Sequence, residues 1–320
     1  MNKHNSSVWH GQAAGAASCS SGLPVRWRAR FTGNPRHKKT WRGLPVPHML
    51  FIVLALGLHA EENMPKQDGL SLEWSKNVLT IKGAALPTGQ IQINYLEAYC
   101  RPGSTDRDWG QTVIGHKTSL VEATPDGKRL KLHCDVKDGI VVEHQIIAGK
   151  DDVSFELEAS NPTATASDAQ WVQPCIQAGP FTSLTPETYL PKCFIFVDGK
   201  LARLPTQPWA TKARYMPGQV WCPKHVDRND VNPRPLSSIA PSNGLMGVFS
   251  GDEKTILATA WEPYQELFQG IYACIHSDFR IGGLKPGERK KIRGKIYVVP
   301  ADVDALVRRY EKDFPEHSAK

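Results

Sequence analysis

The sequence predicts an all-β chain, a large antiparallel β-sandwich closed by one C-terminal α-helix. Three observations carry that expectation. Short runs alternate apolar and polar residues, as in Ile91, Ile93, Tyr95 and in Val153, Phe155, Leu157, which is the two-residue period of strands with one face buried. Residues suited to tight turns separate the runs: Pro125-Asp126-Gly127, Asp138-Gly139, Asp198-Gly199 and Ser250-Gly251-Asp252. No helical spacing lies between the runs, which argues against a doubly wound α/β fold, and the one clear helical pattern is terminal.

The chain opens on a leader, residues 1–60. It holds eight basic residues (Lys3, Arg26, Arg28, Arg30, Arg36, Lys38, Lys39 and Arg42) and no acidic ones. The whole chain has 39 Lys and Arg against 32 Asp and Glu, so the remainder has 31 basic against 32 acidic residues, a net of −1. A near-neutral domain offers no basic face for phosphates, and nucleic acid is excluded as its expected partner. The leader ends in a ten-residue apolar run, 49–58, followed by His59-Ala60. A bilayer span needs about 20 residues, so this run reads as a secretory signal cleaved after Ala60, leaving a secreted or periplasmic protein with no stable membrane span. Met49 and Met64 are rival start sites, and a start at Met64 would leave the protein in the cytoplasm.

Residues 61–320 read as a single domain, large enough to bury about 70–75% of its unfolded surface. The predicted strands are Leu70 to Trp74, Val78 to Ile81, Gln90 to Leu96, Thr112 to Ile114, Arg129 to Cys134, Ile140 to Ile147, Val153 to Ala159, Gln170 to Ile176, Cys193 to Val197 and Leu245 to Phe249. From Pro205 to Asn243 the texture changes to a proline-rich excursion carrying Trp209, Tyr215 and Trp221, and a long connection of this kind in a compact domain is usually functional. Three further runs, Thr255 to Trp261, Gly270 to His276 and Lys290 to Val299, lead to the helix, expected over about 301–312. There Val303, Leu306, Val307 and Tyr310 share one face, with acidic residues early and basic residues late. Six cysteines follow the leader. Cys134, Cys175 and Cys274 lie in strand-like sequence and read as buried thiols.

No P-loop, G-x-S-x-G elbow or G-x-G-x-x-G fingerprint is present, so nucleotide hydrolysis, acyl transfer by that elbow and dinucleotide binding lack support. Cys222 and His225 form C-x-x-H with no second pair, and Asp227, Asn229 and Asp230 lack EF-hand spacing, so no metal and no cofactor is expected. What the chain does supply is flat aromatic surface beside carboxylates, amides and guanidinium groups, the mixture that suits the apolar face and hydroxyl fringe of a sugar. Arg101, Asp106, Trp109, Trp171, Gln173, Trp261, Tyr264, Glu266, His276 and Arg280 are the candidate binding residues, with core packing the competing fate of Trp171 and Trp261.

A Glu-rich connection holding Glu262 and Gln265, then Leu284-Lys285-Pro286-Gly287-Glu288, then a closing strand ending Ile296-Tyr297-Val298-Val299, resembles the end of galactose mutarotase-like proteins. The resemblance implies a β-supersandwich and places the family's catalytic glutamate at Glu262, with Glu266 as the second choice. The family's histidine after an Asn-Pro/Thr turn has no counterpart in the run from Asn161-Pro162-Thr163 to Gln173. If Thr255 to Trp261 and Gly270 to His276 form one hairpin, Glu262 and His276 sit at opposite ends, roughly 20 Å apart at about 3.4 Å per residue. By elimination His116 is then the proton partner of Glu262. The functional expectation is an exported carbohydrate-directed protein, a sugar epimerase or glycan-modifying enzyme, with a non-catalytic carbohydrate-binding or cell-envelope module as the alternative.

Overall fold

A computed structural model describes residues 69–318, apart from 106, 186–187, 207–217, 233–234 and 271–272. The leader, Asp106, Trp209 and Tyr215 lie outside the described residues. In chain order the strands are β1 (Ser71–Ser75), β2 (Val78–Lys82), β3 (Gln90–Cys100), β4 (Val113–Ile114), β5 (His116–Ala123), β6 (Arg129–Val136), β7 (Val141–Ala148), β8 (Asp152–Ser160), β9 (Trp171–Gln177), β10 (Cys193–Val197), β11 (Lys200–Arg203), β12 (Gly218–Trp221), β13 (Met246–Phe249), β14 (Thr255–Glu262), β15 (Tyr264–Gly270), β16 (Cys274–Arg280) and β17 (Arg289–Pro300). They form two antiparallel sheets. The first runs β1-β2-β3-β9-β16-β15-β12 with β4 beside β3, and the second runs β11-β10-β13-β14-β17-β8-β7-β6-β5. This is the expected all-β sandwich.

The inward face of each strand builds one shared core. Val172 and Ile176 of β9, Leu267 of β15, and Ile275 and Phe279 of β16 meet Phe155 and Leu157 of β8, Leu257 and Trp261 of β14 and Ile292 and Ile296 of β17. Trp261 joins the two layers: its ring lies 5.1 Å from Phe155 in the second sheet and 4.7 Å from Phe279 in the first. It is 1% exposed and packs in the core, the competing fate recognised for it from sequence.

Two sequence expectations are corrected. The segment after Trp261, read as a connection, is strand β15, and β14 does not pair with it. β14 pairs β13 and β17 in the second sheet, while β15 pairs β16 and β12 in the first. The chain changes sheets at Glu262-Pro263, so the hairpin that placed Glu262 opposite His276 is absent among the described residues. The physical reason is that every residue of β15 is buried, leaving no alternation to mark it as a strand.

Short helical turns aside, the helix among the described residues is terminal, as the pattern predicts. α1 (Trp109–Thr112) and α2 (Gly179–Thr182) are single turns, α3 (Val303–Asp313) is the amphipathic helix, and α4 (Pro315–Ser318) follows it. The Asp302 side chain caps α3 by accepting from Ala305 N at 2.9 Å. Leu306, Tyr310 and Phe314 pack on Phe194, Phe196, Ile256, Ala258, Tyr297 and Val299, so α3 covers the outward side of the second sheet at one end. No helix among the described residues is long and apolar enough to cross a membrane.

Gly294 stands opposite Trp261 in the β14–β17 ladder, and a Cβ added there would lie 2.4 Å from the indole ring. Gly294→Ala should therefore force the tryptophan out of its slot and destabilise the fold by about 1–3 kcal/mol. Urea unfolding monitored by tryptophan fluorescence checks this, and an unchanged midpoint would show that the indole is not wedged there.

Candidate functional site

On β16 the residues between the core positions point the other way. Cys274, His276, Asp278 and Arg280 occupy the outward face of the first sheet, beside Trp171, Gln173 and Cys175 of β9 and Glu266 and Phe268 of β15. An antiparallel sheet commonly leaves such a face to water. Here it is covered: Glu266 and Asp278 are 0% exposed and His276 1%.

Two loop segments make the cover, and their bonds to the face are specific. Asn232 N donates to both carboxylate oxygens of Glu266, at 3.0 and 3.2 Å. Arg280 reaches Asp230 at 3.3 Å and Gln170 at 2.9 Å, and also donates to Gln265, whose amide donates to the Asp230 carbonyl. The Trp171 indole donates to Ser104 Oγ at 3.2 Å, and Ser104 donates to the Val231 carbonyl at 3.0 Å, tying the two covering segments together. Trp109, in α1, brings its ring 6.4 Å from that of Trp171.

Within the cluster the Gln173 amide lies 2.8 Å from His276 Nδ1, Asp278 Oδ1 is 3.6 Å from the same nitrogen, and Cys274 Sγ is 3.4 Å from Nε2. Burial raises the Glu266 carboxyl well above the usual range, and the neighbouring Asp278 raises it further. Burial likewise raises Asp278, to about 6, against the pull of His276. Burial disfavours the charged form of His276, but Cys274 and Asp278 outweigh it and raise the imidazole to about 10. It is the Gln173 Nε2 amide nitrogen that faces Nδ1. Both oxygens of Asp278, one of Asp230 and the side-chain amide of Asn232 have no hydrogen-bond partner among the described residues. Buried polar atoms of that kind call for a reason beyond packing.

The structure thus gathers six sequence candidates, Trp109, Trp171, Gln173, Glu266, His276 and Arg280, on one covered face. Arg101 stands at its margin, held by Asp168 at 3.2 Å and by the Val113 carbonyl. The remaining candidates within the described residues lie elsewhere. Glu262 ends β14, and its carboxylate meets His317 Nε2 at 2.7 Å, while the Tyr310 hydroxyl bonds Nδ1 of that ring and accepts from Gly244 N. The Tyr264 ring lies against His317, at 5.2 Å, and against His225, at 5.7 Å. Glu262 also borders a cavity of about 840 Å³ on the second sheet, with Pro263, Lys291, Arg293, Glu156 and Glu316. Neither Trp261 nor the 101–109 segment, both named from sequence as candidate binding residues, lines it. His116 is on β5, five places from β14 in the sheet, roughly 24 Å away at about 4.8 Å per strand. Its ring sits 5.1 Å from Tyr99, and burial lowers its pKa. It cannot be the proton partner of Glu262, a pairing reached only by elimination.

Sequence reasoning missed His317, which lies 55 residues beyond Glu262 and whose only local signal is its seven-residue spacing from Tyr310. It also left Asp278, Asp230 and Asn232 outside the candidate set. The alternation from His276 through Asp278 to Arg280 was the available signal for Asp278.

Glu266 and Asp278 hold their protons more tightly in the folded chain than in the unfolded one. Their contribution favours the folded state below the ordinary carboxylate range and fades as pH rises through their raised values. Glu266→Gln removes an ionisation that the fold resists. Its melting temperature relative to the parent should therefore rise with pH from about pH 4 to 5 upward. Thermal unfolding of both proteins across pH tests this, and a pH-independent difference would contradict it.

No protein-family model matches the chain. No curated protein matches it either. Solved structures align with it at low identity. A galactose mutarotase-like protein from Lactobacillus casei is 7% identical, covering 72% of this chain and 100% of its own, with a TM-score of 0.36. A galactose mutarotase-like protein from Clostridium acetobutylicum is 11% identical over 57% of this chain and 67% of its own, with a TM-score of 0.34. An alpha-mannosidase from Enterococcus faecalis is 7% identical over 78% of this chain and 30% of its own, with a TM-score of 0.43.

Proposed function

We propose that this chain is a carbohydrate-directed protein whose sugar-handling groups lie on the outward face of the first sheet, with Glu266 and Asp278 as the proton-transferring pair and His276 as their positioning residue. The observation that carries the reading is the cluster of buried, unpartnered acceptors and donors around Asp278. Sugar hydroxyls both donate and accept, so one ring could satisfy the Asp278 oxygens and the Asn232 amide together. Trp171 and Trp109 offer apolar ring surface, and Arg280 a fixed cation. Proton transfer at a sugar carbon or oxygen needs groups that hold or release a proton near neutral pH, and a pair of carboxyls raised by burial beside an imidazole meets that need. In this reading Glu266, whose carboxyl burial raises, acts as acid, Asp278 is the base, and His276 orients Asp278 and stabilises its charge. Entry of a sugar requires the covering segment to release Asn232 from Glu266. The reading also takes the protein as exported, on the strength of the leader's charge asymmetry and apolar run; a mature chain that begins at Met64 would remove that part.

One observation favours a second, non-catalytic reading. The cavity beside Glu262 has a volume suited to a ligand and is bordered by carboxylates, Arg293 and Lys291. A glycan array with the parent protein, followed by proton-exchange and anomer-interconversion assays on any sugar bound, separates the two. On the first reading Glu266→Gln abolishes turnover and leaves binding within about tenfold, because the lost interaction belongs to proton transfer. Trp171→Ala then weakens binding by about 1–3 kcal/mol. If binding survives both changes and falls in Arg293→Ala, the sugar sits in the second-sheet cavity. A parent protein that binds no sugar overturns both.

A further inference from the structure

We infer that the outward face of the first sheet carries a site for a thiophilic cation, zinc being the foremost example, held by Cys175, Cys274 and His276. The two sulfurs and an imidazole nitrogen lie within 4.8 Å of one another. The placement follows from the ladder. Ile275 pairs with Ile176, so the next step along sets His276 against Cys175, and Cys274, two residues before His276, shares its face. This site is neither the Cys222-His225 pair nor the Asp227-Asn229-Asp230 run weighed from sequence, because its ligands come from two strands about a hundred residues apart, a spacing that no short motif displays.

Three features suit a cation. His276 Nε2 lies 3.4 Å from Cys274 Sγ, close to the separation of about 3.5 Å between nitrogen and sulfur on a tetrahedral zinc with bonds of about 2.0–2.1 and 2.3 Å. The other ring nitrogen lies 2.8 Å from Gln173 Nε2 and 3.6 Å from Asp278 Oδ1, and a carboxylate beside that nitrogen is the kind of outer partner that orients a ligating imidazole. Charge also balances. Binding of a divalent cation to two thiols and a neutral imidazole releases two protons and leaves a neutral centre, which a buried site tolerates far better than an unpaired ion. If His276 starts charged, its Nε2 proton leaves as well. Cys274 is only partly buried, which gives the cation a route from solvent. Three protein ligands would leave a fourth position for water or another ligand.

The inference goes beyond the sugar reading and stands or falls without it, because the probe is the metal alone. The full chain, kept reduced and stripped with a chelator that is then removed, is titrated with Co²⁺. One equivalent should bind, with a thiolate-to-cobalt charge-transfer band in the near ultraviolet, and Zn²⁺ but not Mg²⁺ should displace it. Cys175→Ser and Cys274→Ser should each lower affinity by at least about tenfold and weaken the band. If either variant fails to fold, the parent alone decides: Zn²⁺ should protect Cys175 and Cys274 from alkylation while leaving the other cysteines unchanged, as read by peptide mass spectrometry. A parent protein with no thiolate–cobalt band, or equal alkylation of both cysteines with and without Zn²⁺, overturns the site.

Discussion

The two-residue period of β16 has unusual consequences because both faces of its sheet are covered. Ile275 and Phe279 enter the shared core, so Cys274, His276, Asp278 and Arg280 must face outward, and the loops through Ser104 and Asn232 then close over them. Desolvation follows from that geometry. Removing water from Glu266 and Asp278 raises both carboxyls, and their closeness raises Glu266 further. The same burial calls for hydrogen-bond partners, which the backbone of Asn232 supplies to Glu266 and the side chain of Arg280 to Asp230. Cover, proton affinity and polar bonding thus have one cause.

A second cluster depends on the change of sheet at Glu262-Pro263. Because β14 ends in the second sheet, Glu262 is carried away from Glu266 although only four positions separate them in sequence. Its carboxylate instead receives His317 from the end of the chain, and Tyr310 holds that imidazole from the other side. The C-terminal segment is also tied through Arg293 to Glu316 and through Arg309 to Asp151 and Asp152. These contacts give Glu262 a fastening role for α3 and α4, alongside its place at the edge of the cavity.

The sandwich was legible in the sequence where strands alternate. Val153, Phe155 and Leu157 mark β8 because their neighbours are less deeply buried, and Leu306 and Tyr310 mark the helix because the face opposite them is charged. Strand β15 was illegible for the opposite reason: Tyr264 to Gly270 is buried throughout, and its Gln and Glu residues imitate a loop. The candidate site was legible in its parts. Trp171, Gln173, Glu266, His276 and Arg280 could be named from chemical type, but not grouped, since grouping requires knowing that β9, β16 and β15 are neighbours. The sequence pattern singles out Glu262 before Glu266, and the sheet change separates the two. His116 follows only by elimination, and the order of strands places it at the far edge of the second sheet, five strands from Glu262.

The account rests on buried carboxyls that retain protons where ordinary ones have lost them. Carboxyl ¹³C NMR of the parent protein, with Glu266 and Asp278 assigned by substitution, measures this directly across pH. Both groups should titrate above the usual carboxylate range, Glu266 raised by burial and by the neighbouring Asp278. Titration of both groups within the ordinary range would contradict it.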